Sequence, residues 1–236
     1  MSILPQPFTH RLKQAFERGG LAASCLLCGA DSQHHLLCAD CLTDLPAPPP
    51  AVCPQCAEQT THGERCGACL KEAPHFDRTI AVFHYDFPVD RIIHTLKYGH
   101  QLAVAGWLGQ QLAERTQGAG DIIMPLPLHA LRLRERGFNQ SMEIARRLGN
   151  CLNLRVDRNS LIRQRATQPQ AGLALKERHA NVRGAFECTA DLSGQAILLI
   201  DDVMTSGATV NECARVLKLH GARQVTVAVA ARALKQ

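Results

Sequence analysis

Eight cysteines stand in four C-x2-C pairs, Cys25/Cys28, Cys38/Cys41, Cys53/Cys56 and Cys66/Cys69. The second four repeat the first at a constant shift of 28 residues, and Leu42 and Pro46 map onto Leu70 and Pro74 by the same shift. Each unit reads C-x2-C-x9-C-x2-C. A unit this short cannot bury a core of its own, so a bound metal must supply most of its folding free energy. Zn²⁺ takes four thiolates in a tetrahedron, and each unit offers four. The spacing predicts two structural zinc sites in tandem zinc-ribbon-like units. The ligands pair within each repeat or interleave across the two, and an iron–sulfur cluster would use the same thiolates. The N-terminal stretch lacks the charged-then-apolar layout of a leader peptide. The knuckles therefore point to a reducing cytoplasm rather than to a disulfide framework.

After the cysteines the pattern changes. "LPAPPPAV" (Leu45–Val52) is a stiff joint between the two units. Ahead of them, Phe8, Leu12 and Phe16 predict a short amphipathic helix. From about Ala73, strand-like and helix-like segments alternate. Strands are predicted over Thr79–Tyr85, Asp121–Pro127, Ala196–Ile200 and Gln224–Ala231. Helices are predicted over Val89–Tyr98, Leu102–Arg115, Asn139–Asn150 and Ala208–His220, the last stopped by Gly221. Short continuous apolar runs between helices argue for an α/β fold on a parallel sheet. The expected domains are residues 1–74, helix plus zinc module, and 75–236, the α/β domain. The longest apolar runs are far short of the ~20 residues of a membrane span. A net charge of +5 permits an anionic partner without demanding one.

The most informative stretch is "ILLIDDVMTSGAT" (Ile197–Thr209). It runs from a strand into a helix, and open α/β sheets bind ligands at the carboxyl ends of their strands. Gly207 lets backbone approach a ligand closely. The free N–H groups of a helix start favour an anion. Thr205, Ser206 and Thr209 add hydroxyls around Gly207 and Ala208. Asp201 and Asp202 repel a phosphate but accept from sugar hydroxyls or hold a metal. Phosphate at one end and a diol at the other describe a ribose 5-phosphate. A plain tight turn with an acidic pair is the competing reading.

Two further segments are polar and cationic. "PLPLHALRLRERGFNQ" (Pro125–Gln140) reads as a loop with Arg132, Arg134 and Arg136 beside Gly137, and guanidinium forks suit phosphate oxygens. Lys97, closing a helix, reaches toward the same place or serves its helix dipole. Arg163–Phe186 is long, polar and rich in Arg, Gln and Asn, as lids are.

Together these motifs resemble the ComF/GntX competence-protein family, a type I phosphoribosyltransferase domain behind a double zinc ribbon. The resemblance runs from about Cys25 to Arg232 and rests on the knuckles, "LKYGH", the two cationic segments and "LLIDDVMTSGAT". It implies that Asp201 and Asp202 hold the ribose of phosphoribosyl pyrophosphate, with Thr205–Thr209 on its 5-phosphate. It implies pyrophosphate, with Mg²⁺, on Arg132, Arg134, Arg136 and Lys97. It places Arg163, Arg165, Thr167, Gln170, Arg178 and Asn181 on the loop that closes over the reaction centre, with Arg163 and Arg165 joining Asp201 and Asp202 as catalytic candidates. It further implies a role in DNA uptake or utilisation, with single-stranded DNA and uptake proteins as partners. Purine-salvage relatives carry Asp where this chain has Thr205, which argues against hypoxanthine or guanine as acceptor. A non-catalytic alternative uses the pocket as a ligand sensor and the three arginines for single-stranded DNA. The zinc module itself carries only Arg65 and Lys71 as cations, so protein docking suits it as well as nucleic acid does.

Overall fold

The computed structural model describes residues 24–33, 35–166 and 175–234, with the side chains of 175, 176, 178 and 179 outside that description. The expected helix around Phe8–Phe16 lies outside the described residues, as do Thr167, Gln170 and the side chain of Arg178. The chain divides into two compact units, Met1–Asp44 and Leu45–Gln236.

The sequence repeat is a structural repeat. A β-bridge joins Ser24 to Asp31, and its counterpart 28 residues on joins Val52 to Gln59. Helix α1 (Ala39–Thr43) recurs as α2 (Gly67–Lys71). In both knuckles the chain turns back through a left-handed residue, Gly29 at φ 75° and Ala57 at φ 54°. The amide of each donates to the first cysteine's carbonyl, at 2.9 Å in both cases.

The second unit holds a parallel four-stranded sheet in the order β1 (Arg78–His84), β6 (Gln224–Arg232), β5 (Ala196–Met204), β2 (Ile122–Pro125). Helices α3 (Val89–Gly99), α4 (Leu102–Arg115) and α6 (Gln140–Leu152) precede α8 (Ala208–Leu219). Ile197, Leu198, Leu199 and Ile200 are fully buried. A parallel strand covered on both faces needs apolar side chains in both directions, hence the unbroken "ILLI".

The structure moves three boundaries. Strand β5 continues to Met204, because Asp201, Val203 and Met204 stay in register with Val229, Ala231 and Arg232 of β6. The arginine-rich segment between β2 and α6 is not all loop: Ala130–Arg136 forms helix α5, begun by the His129 ring accepting from the Leu131 amide and ended by Gly137 in the left-handed region. The polar stretch after Leu161 carries an antiparallel pair, β3 (Leu161–Arg163) with β4 (Phe186–Cys188), and helix α7 (Leu175–Val182).

The second cysteine set also sits differently from the expected division at residue 74. Cys53, Cys56 and Cys69 share one apolar cluster with Phe76, Ile197 and Val227, so this knuckle is part of the α/β unit.

Candidate functional site

Each four-cysteine set gathers within its own repeat. The Sγ atoms of Cys25, Cys28, Cys38 and Cys41 lie within 4.8 Å of one another, and so do those of Cys53, Cys56, Cys66 and Cys69. Cys28–Cys38 and Cys56–Cys66 sulfurs are 3.6 and 3.5 Å apart. Zn–S bonds of about 2.3 Å in a tetrahedron put sulfurs about 3.8 Å apart, so both sets fit structural zinc and the interleaved pairing falls away. Burial opposes thiolate formation at Cys25, but backbone N–H groups of Cys28, Cys38 and Leu27 outweigh it and bring that thiol to about 6. A thiolate near neutral pH is the form that binds metal.

In the second unit, β5 delivers Asp201 and Asp202 to the start of α8. Neighbouring strand residues face opposite sides of a sheet. Asp201 accordingly accepts from Ser141 Oγ of α6 (2.9 Å) and from the Asp202 amide (2.9 Å). Asp202 makes an ion pair with the Lys97 ammonium of α3. Both carboxylates are nearly buried. Burial is the chief cause that lifts Asp201 to about 8, and the Asp202 charge adds to it; Lys97, the Asp202 amide and Ser141 offset only part. Burial also opposes the Lys97 charge, but Asp202 and Asp201 hold its pKa above the usual lysine value.

The turn after β5 leads straight into α8. Gly207, at φ 78°, caps α8 from the left-handed region, where other residues are strained, and Ser206 Oγ accepts from the Ala208 amide (3.3 Å). A cavity of about 40 Å³ is lined by Asp201, Met204, Thr205, Gly207, Ala208 and Thr209. At ~10–15 Å³ for each water, this is room for about three or four water-sized groups.

The cationic residues gather less tightly. Arg132 faces Glu135 at 4.0 Å, and Arg134 Nε donates to the Ala130 carbonyl. Arg136 donates to buried Gln140 (2.7 Å) and lies over the Tyr98 ring (5.6 Å). Arg163 lies over the Phe186 ring at 5.3 Å. Burial lowers its pKa, Asp201 and Cys213 oppose that, and the charges of Arg132 and Arg165 add to it. Arg163 therefore shares one electrostatic environment with Asp201 and Arg132. Arg165 Nη2 donates to the Asn181 (3.1 Å) and Arg183 (2.8 Å) carbonyls, bracing the segment that the sequence suggests is a lid. Glu212 of α8 accepts from the Gly184 amide (2.8 Å), anchoring the same segment.

Three contributors carry no sequence signal: Ser141 on Asp201, Glu212 on Gly184, and Arg232 beneath the turn. Each works across more than 25 residues.

Comparison with known proteins identifies both parts of the chain. Residues 133–236 match the phosphoribosyl transferase domain, and residues 21–70 match the double zinc ribbon domain. The chain is 36% identical over 185 residues to DNA utilization protein YhgH of Escherichia coli O6:H1, covering 75% of this chain and 82% of that one. It is 30% identical over 209 residues to Competence protein F of Haemophilus influenzae, covering 84% and 90%. It is 24% identical over 218 residues to Competence protein ComFC of Streptococcus pneumoniae, covering 85% and 96%. With the zinc knuckles, the parallel sheet and the turn after β5 in place, the chain belongs to the ComF/GntX competence-protein family, a phosphoribosyltransferase domain carrying a double zinc ribbon.

Proposed function

We propose that the protein binds phosphoribosyl pyrophosphate with Mg²⁺ and acts in DNA uptake or utilisation. The observation that carries this is the β5–α8 junction: two carboxylates, then a glycine-led helix start over a phosphate-sized cavity. The 5-phosphate would accept from the amides of Ser206–Thr209 and from the Thr205 and Thr209 hydroxyls. Ribose hydroxyls would donate to Asp201 and Asp202, displacing Ser141 and Lys97 from their present partners. Lys97, so released, joins Arg132, Arg134 and Arg136 as a cation for the pyrophosphate, with Arg163 and Arg165 close to the reaction centre.

The donor set fits Mg²⁺ only together with the ligand's own oxygens, since the two carboxylates already hold Ser141 and Lys97. With Arg132, Arg134, Arg136 and Lys97 around the pyrophosphate, Mg²⁺ would supply further neutralisation of the leaving group's charge. If transfer occurs, the anomeric C–O bond breaks, pyrophosphate leaves with the electron pair, and an acceptor lone pair forms the new bond. The buried carboxylates then face the developing positive charge. Thr205 in place of an acid leaves no group there to take a proton from a purine. The relatives' names, DNA utilization and competence, support the DNA link. The thiolate sites, with Cys151, Cys188 and Cys213 as free thiols, suit a reducing cytoplasm.

Calorimetric titration with phosphoribosyl pyrophosphate and Mg²⁺ tests the reading. Saturable binding by the native chain, lost in the Asp201→Asn/Asp202→Asn double variant, is expected. A native chain that gives no binding heat at millimolar ligand defeats it.

A second reading has its own observation. Tyr98 is 61% exposed and stacked by Arg136, and Phe138 meets His100 at 5.6 Å beside the same arginines. Aromatic faces among cations suit single-stranded DNA. A gel-shift series over salt tests it, and no shift at low salt removes direct DNA contact.

A further inference from the structure

Arg232, at the C-terminal end of β6, is 4% exposed and uses its guanidinium in two directions. On one side Nε donates to the Cys56 carbonyl (2.9 Å) and Nη2 to Glu58 Oε2 (2.9 Å). On the other, Nη1 donates to the carbonyls of Met204 (3.0 Å), Thr205 and Ala233. Cys56 belongs to the second four-cysteine set. Met204 and Thr205 open the turn that carries Ser206–Thr209. A parallel link runs through Thr79, whose hydroxyl donates to the Gln55 carbonyl (2.8 Å) and contacts Met204 Sδ (3.8 Å).

The peptide group is planar and trans. A donor that fixes the Thr205 carbonyl therefore also fixes the Ser206 N–H, which points the opposite way. The knuckle packs Cys53, Cys56 and Cys69 into the core of the α/β unit, but only metal holds its four thiolates to one another. Within it the Cys53–Glu58 turn closes on itself, with Cys53 donating to Glu58 (2.7 Å) and Ala57 to Cys53 (2.9 Å). When the four thiolates are gathered, the Cys56 carbonyl and the Glu58 carboxylate stand where the guanidinium needs them.

From this we infer that Arg232 is a positioning residue that couples metal occupancy of the second four-cysteine site to the order of the phosphate turn. The inference rests on the reading of that turn as an anion seat. Metal at Cys53, Cys56, Cys66 and Cys69 holds the guanidinium, and the guanidinium aims the Ser206 amide. Loss of the metal releases Cys56 and Glu58, and the turn loses its brace on that side. The coupling is reciprocal, as any linkage between two equilibria must be: an anion in the turn tightens metal binding.

Hydrogen exchange on the full zinc-loaded chain, with and without chelator, reads the coupling without any ligand. In the native chain, metal removal is expected to speed exchange over residues 203–210 about tenfold, with β2 and α6 unchanged. The Arg232→Lys variant keeps a cation for Glu58 but cannot span both sides. Loaded with zinc, it is expected to show the faster exchange already, with less than a twofold further rise on metal removal. Glu58→Gln, which leaves every thiolate in place, gives the same pattern at smaller amplitude and stands in if Arg232→Lys fails to fold. A native turn indifferent to metal, or a rise shared by β2 and α6 as in general unfolding, overturns the coupling. A parallel titration with ribose 5-phosphate separates the two ideas. No binding alongside intact exchange coupling removes the anion-seat reading alone. Binding equally tight with and without metal removes the coupling alone.

Discussion

Replacing Asp201 by asparagine isolates the charge state of the β5–α8 junction. In the fold this carboxyl is lifted to about 8, first by burial and then by Asp202. In the unfolded chain it titrates near the ordinary ~3.9. The folded state therefore binds the extra proton between these values. Stability from this group is greatest below about pH 4, falls as pH rises toward 8, and is flat above. Asparagine has no proton to lose. Its Oδ1 can accept from Ser141 Oγ and the Asp202 amide as the carboxyl does now, at 2.9 Å each. Each pH unit inside the window corresponds to about 1.36 kcal/mol, so pH 6 to 8 sets a ceiling of about 2.7 kcal/mol. Coupling to Asp202 and Lys97 reduces this to about 1–2 kcal/mol. Urea unfolding of both proteins with zinc present, at pH 6 and pH 8, measures it, and any metal loss common to both cancels in the difference. Asp201→Asn should gain on the native chain by that amount more at pH 8 than at pH 6, while losing ribose binding. A gain independent of pH, or a loss at pH 8, would mean that Asp201 is ionised in the fold and the argument from burial is wrong.

Three other outcomes follow from the same contacts. Ligand binding below pH 8 should release up to one proton, because Asp201 must accept from a hydroxyl, so affinity rises from pH 6 to pH 8; calorimetry in buffers of different ionisation enthalpy counts the protons, and a count of zero contradicts it. Lys97→Met strands Asp202, whose side chain is 5% exposed, and should cost about 3 kcal/mol in urea unfolding at pH 8, whereas a cost below about 0.5 kcal/mol would show the pair to be solvated. Gly109→Ala should cost about 1–3 kcal/mol by thermal unfolding, since the new Cβ would stand 2.7 Å from Arg147 Cβ and 2.9 Å from the Ile144 carbonyl and force α4 from α6; an unchanged midpoint would show that the helices separate freely.

The parts of the fold that announced themselves in the sequence are those set by local rules. The cysteine shift of 28 became two knuckles with matching bridges and helices, and Leu102–Arg115 is the helix its apolar spacing predicts. Boundaries failed where polar residues do structural work. Asp201 and Asp202 look like the end of a strand because they are charged, yet β5 runs through both to Met204. Helix α5 hid because three arginines in five residues read as a loop, although His129 and Gly137 mark its two ends. The second knuckle joined the α/β unit because Cys53, Cys56 and Cys69 bury themselves against Phe76 and the sheet, a choice no spacing encodes. Ser141, Glu212 and Arg232 stayed out of sight for the same reason: each acts on a residue that only the fold brings near.

A crystal structure with ribose 5-phosphate tests the central claim most directly. The account predicts phosphate oxygens about 2.7–3.2 Å from the amides of Ser206–Thr209, with the sugar hydroxyls on Asp201 and Asp202 and Lys97 displaced from its pair. Sugar phosphate bound only along Arg132, Arg134 and Arg136, with the turn empty and the Lys97–Asp202 pair intact, would contradict it.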